Sequence, residues 1–264
     1  MLDWLDQMLT RAPQHLREMG HVRELWGIRQ RWRQFHAHWA PHCENTRQVI
    51  RQAIAQARTR KRAAVLGSGW LLDVPIEDLA SQFEEVLLVD LLHPFSIRWW
   101  ARRWPNVHLL EADVGEVALV AWQVIEAPGT PLPASRPSLF LGDTSLGLTV
   151  SCNLLSQIPV MPAWYLRKHR YPEKEVEAFS RQAIEAHLAY LARLPGVVCL
   201  VADTEAITLT PGGEEVSRRS TLNGARLPWQ GATWRWRLLP RRDRPPYHAE
   251  ELHVVGVPNI HGLA

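Results

Sequence analysis

The chain changes rhythm at Arg62. Before it, apolar residues recur every three or four positions: in "MLDWLDQMLT" at 2, 4, 5, 8 and 9, and in "VRELWGIRQRWRQFHAHWA" as one stripe of Leu25, Ile28, Trp32, Phe35 and Trp39. That spacing predicts amphipathic helices. Pro13 is suited to open a second segment. Pro41 fits the first turn of a new helix, "PHCENTRQVIRQAIAQARTRKR", with Glu44 near its start and basic residues at its end, as the helix dipole prefers.

From Arg62 onward, short apolar runs alternate with helical stretches. "AAVLGSG", "EVLLVD", "NVHLLEAD", "LGLTVSCN" and "VVCLVADTE" read as buried strands. Between them "PIEDLASQF", "PFSIRWWARRW", "VGEVALVAWQVI" and "EKEVEAFSRQAIEAHLAYLARLPG" read as helices, and 127–137 as a proline-rich loop. This alternation predicts a parallel sheet covered on both faces. In the tail, "ATWRWRLLP" alternates large apolar residues with arginine, "RRDRPPYH" is a turn-rich link, and "ELHVVGVP" is a last strand. With no helix between them, the last two strands are expected to pair antiparallel at the sheet edge. Residues 204–230 show turn signals at Gly212-Gly213 and Asn223-Gly224 and no clear helix.

Candidate chemistry gathers where strands end. Gly67-Ser68-Gly69 follows the first, Asp90 closes the second and Asp113 the third. Ligands of open parallel sheets bind beyond the carboxyl ends of the strands. Bare glycine backbone permits close approach, an acid some 20 residues on can accept both ribose hydroxyls, and a third acid can accept from an exocyclic amine. Ordered in this way, the three predict a nucleoside-containing cofactor.

On these residues the chain from Arg62 to its end resembles the class I S-adenosylmethionine-dependent methyltransferases. "VLGSG" is similar to the family's first motif, "LLVD" to its second, "LEADV" to its third, and "VSCNLLSQIP" stands at the fourth-strand motif. The resemblance implies an α/β, three-layer Rossmann-like fold. Its seven-stranded, mostly parallel sheet would end in an antiparallel hairpin and form the cofactor domain over 61–264; the helical periodicity before it is read as an N-terminal helical cap over 1–60. The resemblance also implies S-adenosyl-L-methionine held by Gly67, Ser68, Gly69, Asp90, Leu91, Asp113, Val114 and Asn153. Its methyl group would pass in line to an unidentified, small-molecule acceptor. Three features depart from the family pattern. No acid precedes the glycines, Leu71 stands at the third glycine position, and Ser-Cys-Asn-Leu-Leu replaces the Asn/Asp-Pro-Pro-aromatic of nucleobase amine methylases. The "GSGWLLDVPIEDLA" stretch is also similar to nicotianamine synthase-like enzymes, which transfer the aminobutyrate arm of the same cofactor.

Asn153, Tyr165 and His42 are the candidate catalytic residues, with Gln157 and His169 close by in sequence and His93, just after Asp90, placed to touch the cofactor; each could instead serve packing or capping. Trp70 and Leu71 are expected to wall the methionine side. Phe35, His38, Trp39 and His42 are expected to form an aromatic and imidazole face over the cofactor. A metal at His36, His38, His42 and Cys43 is not expected, because alternate helical positions point apart. His187 reads as a satisfied core histidine.

Bulk composition narrows the setting. The 264 residues are 46% hydrophobic and 22% charged, an ordinary globular balance. No apolar run approaches a bilayer span, the N-terminus lacks a signal-peptide pattern, and the three cysteines match no zinc or disulfide spacing. A cytoplasmic protein of bacterial type is expected, with no membrane partner and with oligomeric state open. Its net charge is +3, nearly all of the positive charge arginine, which keeps nucleic-acid binding through 47–62 as a less favoured reading. The glycine turn and Asp90 would equally serve a nicotinamide-dependent oxidoreductase, and the arginine-rich segment a non-catalytic RNA- or nucleoside-binding module. Thirteen tryptophans favour an enclosed, partly aromatic pocket.

Overall fold

The computed structural model describes residues 3–125, 130–240 and 248–262. Most of the turn-rich link at 241–248 and the start of the proline-rich loop lie outside them. Two short helices, α1 (Asp3–Leu9) and α2 (Gln14–Glu18), lead into the long α3 (His21–Gln56). The expected restart at Pro41 does not occur. One helix runs through the proline and bends at Phe35, whose φ and ψ are −120° and 19°. Proline has no N–H to offer the carbonyl four residues back, and its ring crowds that carbonyl. The helix yields upstream of it.

The strands are β1 (Arg62–Leu66), β2 (Glu85–Asp90), β3 (Val107–Glu111), β4 (Leu146–Cys152), β5 (Val197–Leu209), β6 (Glu215–Ser220), β7 (Ala232–Leu239) and β8 (Ala249–Val257). Between them lie α4 (Ile76–Gln82), α5 (Phe95–Ala101), α6 (Ala118–Val124), a 3-10 turn at Leu155–Gln157, α7 (Val160–Lys168) and α8 (Glu173–Leu191). The sheet order is β3-β2-β1-β4-β5-β8-β7. The first five strands of that order are parallel. β8 enters antiparallel between β5 and β7. The fold is thus the α/β, Rossmann-like sheet with a reversed terminal hairpin that the sequence predicts, plus one strand. That extra strand, β6, pairs antiparallel with the extended end of β5, across a turn in which Gly213 takes φ +90°. All of β6 is exposed, so "EVSRRS" carries no buried alternation from which to read a strand. α7 is the other unexpected element. Pro159 and Pro162 look like breakers, yet they fall just before and within its first turn, where proline is tolerated.

Alternation along β1 divides the core. Ala63 and Val65 face a cluster with Val49, Ile50, Ala53 and Ile54 of α3. Ala64 and Leu66 face the opposite cluster with Ile184 and Leu188 of α8. The second half of α3 therefore covers one sheet face, while its first half leans over the strand ends. The earlier helices are tied down by caps supplied across the fold. Asp6 Oδ1 accepts from the Ser96 N–H (2.9 Å) and Thr10 Oγ1 from the Phe95 N–H (3.1 Å). These satisfy free donors at the start of α5. Arg29 closes the group on Asp6 at 3.2 Å.

Candidate active site

The two glycines of the first turn serve different ends. Both take left-handed φ, +78° at Gly67 and +47° at Gly69, which glycine adopts without strain. A Cβ on Gly67 would lie 2.9 Å from the Cys152 carbonyl oxygen, so this glycine lets β1 pass β4. A Cβ on Gly69 would meet nothing within 4 Å; this glycine opens onto a cavity. Ser68, between them, is buried with its Oγ 3.2 Å from His93 Nε2. Burial pushes the His93 imidazole down to about 4. His93 supports the turn from behind and does not line the cavity.

The cavity, 340 Å³, runs along the carboxyl ends of β3, β2, β1 and β4, within the range of small-molecule sites. Gly67, Ser68, Gly69, Asp90, Leu91, Asp113, Val114, Asn153 and His42 all line it. Asp90 Oδ2 accepts from the Gly69 N–H and Oδ1 from the Leu91 N–H, both at 2.8 Å. These bonds hold the carboxylate across the turn and leave lone-pair capacity on each oxygen. Burial raises its pKa to about 6. Asp113 is more committed. Oδ2 accepts from Val117 N–H (2.9 Å) and Ala118 N–H (2.7 Å), and Oδ1 from Gly115 N–H (3.1 Å). It caps the turn into α6 and keeps one acceptor position.

The first half of α3 forms the lid through Leu25, Ile28 and Arg31. It is latched to the glycine turn by Trp70. The indole N–H donates to the Leu25 carbonyl (2.7 Å), the ring meets Trp26 edge-on at 4.9 Å, and the Arg29 guanidinium lies 4.4 Å from its centroid. Trp70 lines the cavity as expected. Its neighbour Leu71 does not; Leu72 takes that place, and Leu71 packs toward the core in a left-handed conformation, φ +56°.

At the β4 end the wall becomes aromatic and polar. His42 stacks on Trp236 (4.0 Å, 5° between planes), and Trp39 meets Trp236 edge-on at 4.9 Å. The Trp234 indole N–H donates to His42 Nδ1 at 3.1 Å. Burial holds His42 down to about 3, hence neutral. Asn153 follows β4 with φ +48°, a conformation asparagine tolerates. One end of its amide lies 2.6 Å from Asp73 Oδ2 and 3.2 Å from His42 Nε2. The other end, and Trp236 Nε1, are buried without a hydrogen-bond partner among the described residues.

Besides Leu71, two further sequence expectations need correction. Tyr165 is 3% exposed in the core beneath α7, with its ring 4.5 Å from that of His169, and lies off the cavity. His38 is exposed and Phe35 only half-buried, so Trp39 and His42 alone of the proposed aromatic face reach the cavity. Of the other candidates, Gln157 lines it and His169 is exposed. His187 is fully buried with Nε2 3.0 Å from Ser151 Oγ, while its Nδ1 has no partner among the described residues. Asp73, Trp236 and Asp203 also line the cavity, and sequence reasoning misses all three. For Trp236 the available signal is the Trp-Arg alternation of β7, which puts Trp234 and Trp236 on one face. For Asp73 it is an acid set in the otherwise apolar "WLLDVP".

No family model matches the chain, and no curated protein does. Among solved structures it is similar to a candidate type II methyltransferase from Anaeromyxobacter dehalogenans, with 19% identity over 62% of this chain and 49% of that one, TM-score 0.27. The chain thus spans about half the length of that protein. It is also similar to DhpI in complex with SAM and HEP (14%, 94% and 84%, TM-score 0.35). A third is the Burkholderia thailandensis 1,6-didemethyltoxoflavin-N1-methyltransferase with bound 1,6-didemethyltoxoflavin and S-adenosylhomocysteine (14%, 88% and 89%, TM-score 0.31). Likenesses this distant say nothing by themselves about chemistry; the sheet order and the cavity bear on it.

Proposed function

We propose that this chain is an S-adenosylmethionine-dependent methyltransferase acting on a small-molecule acceptor. The observation that carries the reading is one cavity laid across successive strand ends: open backbone at Gly69, Asp90 beside it, Val114 and the Asp113 turn beyond. In this reading the remaining lone pairs of Asp90 take the ribose hydroxyls, Leu91 and Val114 flank the adenine, and the free position on Asp113 faces its amine. Gly67, Ser68 and Gly69 lie along the amino-acid arm, and Asn153 stands at the boundary with the acceptor. When bound, the cofactor supplies an already activated methyl group, so the protein's part is to position the acceptor and manage its proton.

Two observations weigh against a dinucleotide. No helix begins at the glycine turn, since α4 starts only at Ile76, so no helix N-terminus faces a pyrophosphate there. Beyond β5 the sheet reverses direction instead of continuing in parallel. Against a nucleic-acid surface, Arg51 and Arg62 are paired with Glu44, Asp78, Glu85 and Asp143. No described helix is long and apolar enough to cross a membrane. The reading also divides the chain into an N-terminal helical cap and a sheet domain. Burial of Val49, Ile50, Ala53 and Ile54 against the sheet supports counting the second half of α3 with the latter, so that the cap ends at the Phe35 bend. Calorimetry tests the function: S-adenosylmethionine and S-adenosylhomocysteine are expected to bind one per chain and NADH not at all. The reverse preference would overturn the reading.

A further inference from the structure

We propose that Asp73 is the group that takes the acceptor's proton, and that it stands protonated until a cation enters the cavity. This rests on the methyl-transfer reading above. The hydrogens around Asn153 carry it. An indole N–H only donates, so the bond from Trp234 makes His42 Nδ1 an acceptor and places the hydrogen of the neutral ring on Nε2. That N–H faces the end of the Asn153 amide that also touches Asp73. Were that end the nitrogen, two donors would meet. The two ends of an amide are nearly alike in shape, and the oxygen in that place accepts from His42. Its 2.6 Å separation from Asp73 Oδ2 then requires a hydrogen on the carboxyl, and it is a length more typical of O–H···O than of N–H···O. One proton between Asp73 and Asn153 satisfies all three contacts and leaves the amide NH2 as the unpartnered end.

The surroundings agree. Facing Asp73 are Cys43 and Arg47 of α3 and Cys152 of β4, besides His42. Burial keeps both thiols protonated and His42 neutral, and Arg47 turns its guanidinium to the Leu72 carbonyl. Burial also raises the Asp73 carboxyl. A sulfonium bound nearby would favour the carboxylate, and the Asp73 proton would pass to solvent. The carboxylate then accepts the N–H or O–H proton of the acceptor. The acceptor's freed lone pair forms the bond to the methyl carbon while the carbon–sulfur pair stays on sulfur. Acceptors of this class present a polar N–H or O–H toward Asp73 from a flat body that rests on Trp39 and Trp236.

Calorimetry at pH 7 in two buffers of different ionisation enthalpy counts the protons. S-adenosylmethionine carries the sulfonium; S-adenosylhomocysteine has the same amino-acid arm and a neutral sulfur. The wild-type protein is expected to release about one more proton with the first ligand than with the second. Asp73→Asn, which keeps a donor toward Asn153, is expected to bind S-adenosylhomocysteine within a few-fold of wild type, to bind S-adenosylmethionine about tenfold more weakly because the coupled proton is gone, and to lose that difference in proton release. Equal proton release for the two ligands in the wild type overturns the proposal even if the variant does not fold. Loss of both ligands by a folded variant overturns it too, because Asp73 would then anchor the cofactor. No heat from either ligand in the wild type overturns the cofactor reading and this assignment with it.

Discussion

The two ends of the cavity are built in different ways. At the β1–β3 end, the strand-end floor of the cavity comes from one stretch of chain, Gly67 to Ala118, beneath the α3 lid, and it presents mainly backbone amides and carboxylates. At the β4 end, the wall is assembled from α3, the loop after the glycine turn, β4 and β7. His42 touches Asn153 and Trp234 across sequence separations of 111 and 192 residues. A local, backbone-made end suits a constant ligand, because side-chain changes elsewhere leave it intact. An end made of side chains from distant elements can change its acceptor without disturbing the first.

Substitutions at the glycine turn should break the first end alone. Gly69→Val fills the open approach and is expected to weaken S-adenosylhomocysteine binding at least about a hundredfold, roughly 3 kcal/mol. The strained φ should cost only about 1–2 kcal/mol of stability, read as a modest fall in Tm. Gly67→Ala should do the opposite damage, since its Cβ meets the Cys152 carbonyl: a larger fall in Tm accompanies any loss of binding. If Gly69→Val binds normally, the turn is not part of the site.

Asp90→Asn comes next. Losing charge-assisted bonds to two hydroxyls should weaken the cofactor by about 3 kcal/mol, again near a hundredfold, with turnover falling in step at subsaturating cofactor. The same carboxylate sets a pH dependence. On the proposed reading the charged form binds ribose; with burial raising Asp90 to about 6, affinity should be full above that pH and fall about tenfold per unit below it. The sign for folding is reversed. A raised acid stabilises the ligand-free fold when protonated, and that contribution is lost as pH rises through about 6. Calorimetric titration between pH 5 and pH 8, repeated on Asp90→Asn, separates this group from others.

Legibility in the sequence follows the same division. The strand order and the first end can be read because each strand is a short apolar run closed by a glycine turn or an acid, and each motif is contiguous. The second end can be read only in part. Asn153 and His42 stand out as polar residues near predicted breaks. Tyr165 is equally eligible by its position in the chain, yet helical phase turns it into the core. Asp73 escapes notice because its one local signal, an acid within the apolar "WLLDVP", does not separate a buried loop acid from a solvated one; its neighbours Asn153 and His42 are supplied by the fold. The restart expected at Pro41 fails because packing of α3 against the sheet outweighs one lost hydrogen bond. β6 is invisible because its backbone pairing with β5 leaves no apolar trace.

The smallest expected effect on cofactor binding belongs to Trp236→Ala. It removes the ring that His42 stacks on and should cost about 2 kcal/mol of stability, since the side chain is only half-buried. Cofactor affinity should stay within about twofold, because the first end does not use that ring. A large loss of cofactor binding in a folded variant would mean the two ends are not separable.

The most direct test is a crystal structure of the chain with S-adenosylhomocysteine. The account predicts ribose hydroxyls on Asp90, adenine between Leu91 and Val114, and the sulfur turned toward Asn153 and the Trp39–Trp236 wall. A ligand seated elsewhere, or one whose sulfur points away from Asn153, would contradict it.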